Sequence, residues 1–240
     1  MIVYNFGIGS TSEWQADSNT AVWNMSNTLA GGDETGSGGG LTGVDLVLTE
    51  QGTLAGASGG YRLFDGTDDG LSWTQAGADA LLLNQTAWSI IVKTEDITGA
   101  QNNDFWVEIV NVGVGQGIQV YAGITAGGFM TGWIGGNGGA VINGNTGNVF
   151  PSTGKLYAVV CSNAGAGSGV KTLCGWTTTK PTKRSDFTAG NVITAAGATL
   201  FDSSLALRQG FMCRSSGSFF LPGKLYTIVV SKTCLINLDA

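Results

Sequence analysis

The chain contains no histidine, and only 12% of its 240 residues are charged. Without an imidazole, Ser-His and Cys-His nucleophile pairs and mixed Cys/His zinc sites are excluded. The 11 basic residues are outnumbered by 17 acidic ones and form no cluster, so nothing stands ready to release counterions from a phosphate backbone. No nucleic acid partner is expected. No apolar run approaches the length of about 18 residues that a membrane span needs, so no membrane partner is expected either. The first ten residues lack the basic flank and long apolar segment of an export signal. Four cysteines, Cys161, Cys174, Cys213 and Cys234, are widely spaced without a C-x-x-C pair, and a zinc site would have to recruit all four. Free thiols in a chain made in a reducing compartment are the simpler reading, with a Cys161–Cys174 bridge as the alternative if hairpin register permits.

What remains is apolar and glycine-rich. Hydrophobic residues make up 42% of the chain, enough for a sizeable core, and 40 glycines without a G-X-Y period fall mostly between β-type runs. The chain is organised around residues 61–73. There Tyr61 and Leu63, then Leu71 and Trp73, alternate with polar neighbours about an Asp/Gly turn, the pattern of a half-buried antiparallel hairpin. Short β-type runs recur at 21–25, 44–49, 88–93, 105–112, 117–124, 128–134, 155–162, 170–177, 198–207, 210–213, 218–221 and 224–231. Residues 31–43 and 135–147 read as glycine-rich connections, and Leu81-Leu82-Leu83 as one helical turn. This spacing predicts an all-β fold of two antiparallel sheets, a β-sandwich or jelly roll, in one domain over residues 21–240. Residues 1–20 read as an N-terminal arm. Its Ile2, Val3, Tyr4, Phe6 and Ile8 place apolar groups on both faces of an extended segment, as a strand docking on a neighbouring subunit or a larger particle would.

The order of these pieces resembles the laminin-G-like jelly rolls of the concanavalin A-like lectin/glucanase superfamily. Ala21-Val22-Trp23-Asn24-Met25, a glycine-rich segment and Phe64-Asp65-Gly66-Thr67-Asp68-Asp69 are similar to that family's opening. Gly154-Lys155-Leu156-Tyr157-Ala158-Val159-Val160 and Leu221-Pro222-Gly223-Lys224-Leu225-Tyr226 are similar to its later strands. Tyr157-Ala158 replaces the family's usual Trp-His pair, and Tyr226-Thr227 stands where Asp-Glu is usual, so no ligand role carries over to those positions. The resemblance implies two stacked sheets used for binding glycans or proteins and, in some branches, for glycoside hydrolysis.

Hydrolysis needs two carboxylates across a sugar bond. Asp104 and Glu108 are spaced to share one strand face, and the stretch resembles the Glu-x-Asp-x-Glu strand of laminarinase-type members, but Trp106 replaces the middle acid. Catalytic residues are therefore not expected. Asp65, Thr67, Asp69 and Gly70 match the first half of a calcium loop, yet Ala76 stands where a bidentate Glu would close it. Turn-capping aspartates explain the cluster more simply, so no cofactor is expected, a structural calcium at Asp65 and Asp69 being the alternative. Gly56-Ala57-Ser58-Gly59-Gly60 fits a nucleophile elbow in letters only, because the chain has no histidine. Among the seven tryptophans, Trp23, Trp73 and Trp88 belong to strongly apolar strands, and Trp133 and Trp176 are the candidates for an exposed stacking surface.

The function these features suggest is a non-catalytic recognition or structural module. Small uncharged polar residues, unpaired cysteines and the absence of an export signal suit a virion component made in the host cytoplasm, such as a phage capsid decoration or tail-associated protein. Its partners would be other virion proteins, copies of itself and surface glycans, and its location the virion surface or otherwise the extracellular space. A lectin domain outside a virus is the second reading, and a degenerate glycosidase the third.

Overall fold

The computed structural model describes residues 13–25, 33–52, 60–101, 103–111, 113–123, 128–167, 169–205, 208–214 and 218–240. The arm residues Ile2, Val3, Tyr4, Phe6 and Ile8 lie outside this set. The first strands are β1 (Thr20–Asn24), β2 (Glu34–Thr35), β3 (Ser37–Gly38), β4 (Val47–Gln51), β5 (Arg62–Phe64) and β6 (Gly70–Ser72), followed by the helix α1 (Gln75–Leu82). The middle of the chain forms β7 (Ala87–Glu95), β8 (Phe105–Asn111), β9 (Gln116–Ala122), β10 (Phe129–Gly136), β11 (Gly139–Val149), β12 (Lys155–Asn163) and β13 (Thr172–Thr177). Short strands β14 (Val192–Ala195) and β15 (Arg208–Phe211) precede the closing β16 (Gly223–Ser231).

These strands make two antiparallel eight-stranded sheets, a β-sandwich. The first sheet runs β14-β13-β12-β7-β16-β1-β3, with β5 also paired to β16; the second runs β11-β10-β9-β8-β15-β6-β4-β2. The C-terminal strand thus sits between β7 and the N-terminal β1, closing the chain on itself. No helix among the described residues is long and apolar enough to cross a membrane.

Between the sheets lies a core built on Trp23, Trp73, Trp88 and Trp106. Each indole N–H finds an acceptor: Leu46 O at 2.9 Å, Asp45 O at 2.9 Å, Thr199 O at 3.2 Å and Thr94 Oγ1 at 3.4 Å respectively. The rings therefore bury large apolar area without stranding a donor. Glycine serves this packing as well as the turns. A Cβ on Gly36 would lie 2.5 Å from the Trp23 ring, and one on Gly77 would lie 2.5 Å from that of Trp73.

A second cluster covers the outer face of the first sheet, where Val22, Ile91, Val159, Cys161 and Val229 lie under Trp14, Phe187, Ile236 and Leu238. The central strands are thus buried on both faces. That is why Ser89-Ile90-Ile91-Val92 and Ile228-Val229-Val230 read as continuous apolar runs rather than alternating ones. The described end of the expected arm is part of this cover. Glu13 accepts from Lys93 and from Tyr157 Oη (2.7 Å), the Lys180 ammonium stands 4.5 Å over the Trp14 ring, and Lys232 N donates to Asn19 O at 2.9 Å.

Several sequence expectations are corrected. The arms of the 61–73 element do not pair with each other, for β5 joins the first sheet through β16 and β6 joins the second through β4 and β15. Within β5 the inward residues are Arg62 and Phe64, while Leu63 is 48% exposed. The glycine-rich stretch expected to be a connection at 135–147 is mostly the eleven-residue β11. A Cys161–Cys174 bridge is ruled out by register. Cys174 faces Val160 and Cys161 faces Leu173, which sends the two thiols to opposite faces of the sheet.

Candidate functional site

The outer face of the second sheet brings aromatic, amide, hydroxyl and charged side chains together. Its basis is strand alternation, interrupted once. Between Phe105 and Val107 the pairing of β8 with β9 slips by one residue, so Trp106 and Val107 both enter the core while Phe105 and Glu108 turn outward. From there the register builds two rows across the sheet. In one, Phe105 faces Tyr121, which faces Thr131, which faces Asn145; in the other, Glu108 faces Gln119, which faces Trp133, which faces Asn143.

Trp133 is half-buried and lies across Gly135, whose missing Cβ would stand 2.6 Å from the six-membered ring. The ring therefore packs against the backbone at Gly135, and the register places Gln119 and Asn143 on either side of Trp133. Thr131 Oγ1 donates to Asn145 Oδ1 at 2.8 Å, and the Phe105 and Tyr121 rings meet at 5.0 Å. Glu108 is fully buried. Gln119 Nε2 donates to it at 2.8 Å and Arg214 Nε at 3.3 Å. The Arg214 guanidinium in turn stands 5.7 Å from the Phe219 ring.

Phe219 marks the rim. It is 39% exposed and holds a φ of 57°, a left-handed conformation that a bulky residue adopts only when its surroundings enforce it. It borders two depressions. One, of about 210 Å³, is lined by Asn103, Phe105, Gln119, Tyr121 and Arg214. The other, of about 540 Å³, lies among Asp65, Thr67, Thr98, Gln101, Asp104 and Phe220. Asp104 is 6% exposed, and burial pushes its carboxyl up to about 6, although the Gln101 amide donates to it at 2.5 Å.

The expected pairing of Asp104 with Glu108 on one strand face does not occur. The bulge separates them, leaving Asp104 in the larger depression and Glu108 held by Arg214 and Gln119. Trp176, the other candidate for stacking, is 8% exposed within the inter-sheet core, so it offers no ring face to a ligand. Gln119, Tyr121, Asn143 and Phe219 were not legible as site residues. Gln119 and Tyr121 had only the signal of outward parity on β9, whose alternate residues Ile118 and Val120 are apolar; Asn143 sits on a glycine- and asparagine-rich strand and Phe219 on no strand, so neither carried one.

The aspartate cluster lies at the crossing from β5 to β6. Carboxylate oxygens of Asp65, Asp68 and Asp69 all fall within 4.8 Å of one another. Asp65 Oδ1 accepts from Thr67 N at 2.6 Å and Asp69 Oδ2 accepts from Asp65 N at 2.9 Å, the turn-capping use expected of these residues. Asp69 is buried, and its carboxyl is raised first by that burial and then by the neighbouring Asp65, Asp68 and Glu50 charges, against the Asp65 amide. In comparison with known proteins, this chain matches no family model, no curated protein and no solved structure.

Proposed function

We propose that this protein is a non-catalytic recognition module that binds uncharged glycans across the outer face of its second sheet. The observation carrying this reading is the register that sets Trp133 between Gln119 and Asn143. Sugar rings present apolar C–H faces edged with hydroxyls. An aromatic ring meets the first, and a primary amide, donor and acceptor at once, meets the second. Tyr121 and Phe219 extend the aromatic surface toward the rim, and the charged pair beside it, Glu108 with Arg214, is internally neutralised. The non-catalytic part of the proposal draws on the same geometry, since Glu108 accepts from Gln119 and Arg214 and the described residues that face it across β9 and β15 are Gln119 and Gly210, neither of them a carboxylate.

The setting we propose is the surface of a virion, where the module docks on other virion proteins or on copies of itself through a jelly-roll scaffold of the concanavalin A-like kind. Support for this setting is compositional: few charges, no histidine and four cysteines free of disulfides.

The test is a glycan array followed by calorimetry on the best neutral ligand. Trp133→Ala should weaken binding at least about tenfold, the loss of about 1.4 kcal/mol or more expected of a stacking aromatic, with an unchanged far-ultraviolet spectrum. Absence of any glycan ligand would remove the reading. Turnover of laminarin that disappears in Glu108→Gln would replace it with the glycosidase.

A further inference from the structure

We propose that Asp65, Asp68 and Asp69 form a calcium site at the point where the chain crosses from one sheet to the other. The crossing is short: β5 ends at Phe64 in the first sheet and β6 begins at Gly70 in the second. Five residues make the turn, and three of them are aspartates.

Two independent observations point to a cation. The first is spacing. Calcium–oxygen bonds run about 2.3–2.6 Å, so two ligands of one ion stand at most about 5 Å apart. The three carboxylates, with oxygens within 4.8 Å of one another, meet that limit without rearrangement. The second is an orphan. Asp69 is only 3% exposed, and its Oδ1 is buried with no hydrogen-bond partner. A buried carboxylate oxygen without a donor is costly, and such groups are ordinarily paired or bound to metal.

The surroundings sharpen this need. The charges that act on Asp69 are those of Asp65, Asp68 and Glu50, all negative. The turn's own amides engage Asp65 Oδ1 and Asp69 Oδ2, and leave Asp69 Oδ1 and the exposed Asp68 carboxylate for a ligand. Three carboxylates supply three to six of the six to eight oxygens that calcium takes, with water completing the shell. Magnesium, with bonds of about 2.0–2.1 Å and a strict octahedron, fits the open side of this turn less well. A site so partly exposed belongs with weak calcium modules, whose dissociation constants lie at about 0.1–1 mM.

The residues are distinct from the proposed glycan face, so either reading stands if the other fails. The experiment is calorimetric titration of the full chain, stripped with chelator, with calcium chloride and separately with magnesium chloride, alongside thermal unfolding. One-to-one calcium binding with a dissociation constant between about 0.1 and 1 mM, at least about tenfold tighter than magnesium, and a higher melting temperature at saturation are expected. Asp68→Asn, at an exposed side chain, should weaken calcium at least about tenfold while leaving the calcium-free melting temperature unchanged. Asp69→Asn should abolish binding. No saturable heat at about 10 mM calcium, a site far looser than any calcium module, would overturn the proposal. So would calcium binding as tight in Asp68→Asn as in the unaltered chain, or an Asp69→Asn variant that gains stability while the unaltered chain shows no response to calcium.

Discussion

Asp104 shows how a single buried carboxyl in this molecule sets a pH dependence. Its folded-state pKa of about 6 lies above the unfolded value of about 3.9, so the folded chain holds that proton more tightly. The sign follows from linkage: stability associated with this group is fully present below about pH 4, declines as pH rises toward 6, and stays lost above it. Glu13 and Asp96 are shifted the other way, Asp96 by the Lys224 ion pair, so the whole molecule's curve mixes both signs. The informative quantity is a difference. Asp104→Asn keeps an acceptor for the Gln101 amide and removes the charge, so it should stabilise the protein at pH 7 by about 1–2 kcal/mol and by little at pH 4. Urea titrations of both proteins at the two pH values check this; an equal effect at both would mean that the carboxyl is not strained by burial.

At the scale of the element, β5 shows why parity could be misread. Alternation of Tyr61 and Leu63 placed them inward, but Arg62 is the buried residue. It forms an ion pair with Glu34, both side chains being 2% exposed, so a charged residue occupies an inward position while Leu63 faces outward. Nothing local to residues 61–73 announces Glu34 as the partner. The β8 bulge is equally silent in sequence, because Trp106 and Val107 are both good strand residues whichever way they face. By contrast, β12 and β13 were legible as a hairpin, for two β-rich runs flank a loop of little but glycine, alanine, asparagine and serine. Close sheet packing adds a constraint that only coordinates reveal. A Cβ on Gly132 of β10 would lie 2.6 Å from Cys174 Sγ and 3.1 Å from its Cβ on β13, across the core. Gly132→Ala should therefore cost about 1–3 kcal/mol, and Cys174→Ala in the same chain should recover part of it. A double-mutant cycle with coupling below about 0.5 kcal/mol would show that the sheets simply move apart.

Over the whole molecule, the first sheet carries apolar residues on both faces, and the second cover comes from both ends of the described chain. Sequence patterning made the two-sided burial visible as unbroken runs in β7 and β16, but could not say what lay over them, since Trp14 and Leu238 are more than 200 residues apart. In sequence the segment around Trp14 reads as arm rather than cover because so few apolar residues surround it. The structure ties it down with polar contacts instead, through Glu13 to Lys93 and Tyr157 and through the Lys180 ammonium over the indole. Trp14 is 9% exposed and packs in the same cluster as Ile236 and Leu238. If this cover is integral to the sandwich, Trp14→Ala should lower unfolding free energy by about 2–4 kcal/mol, toward the lower part of the range for buried aromatics because the cluster is bordered by only partly buried residues such as Ala16 and Leu235. Trp14→Phe should retain most of that stability, keeping a ring beneath Lys180. Both variants should still unfold in one cooperative step in guanidinium. A Trp14→Ala protein as stable as the unaltered one would make residues 13–16 an appended arm, and the outer face of the first sheet would then be a surface that another molecule could cover.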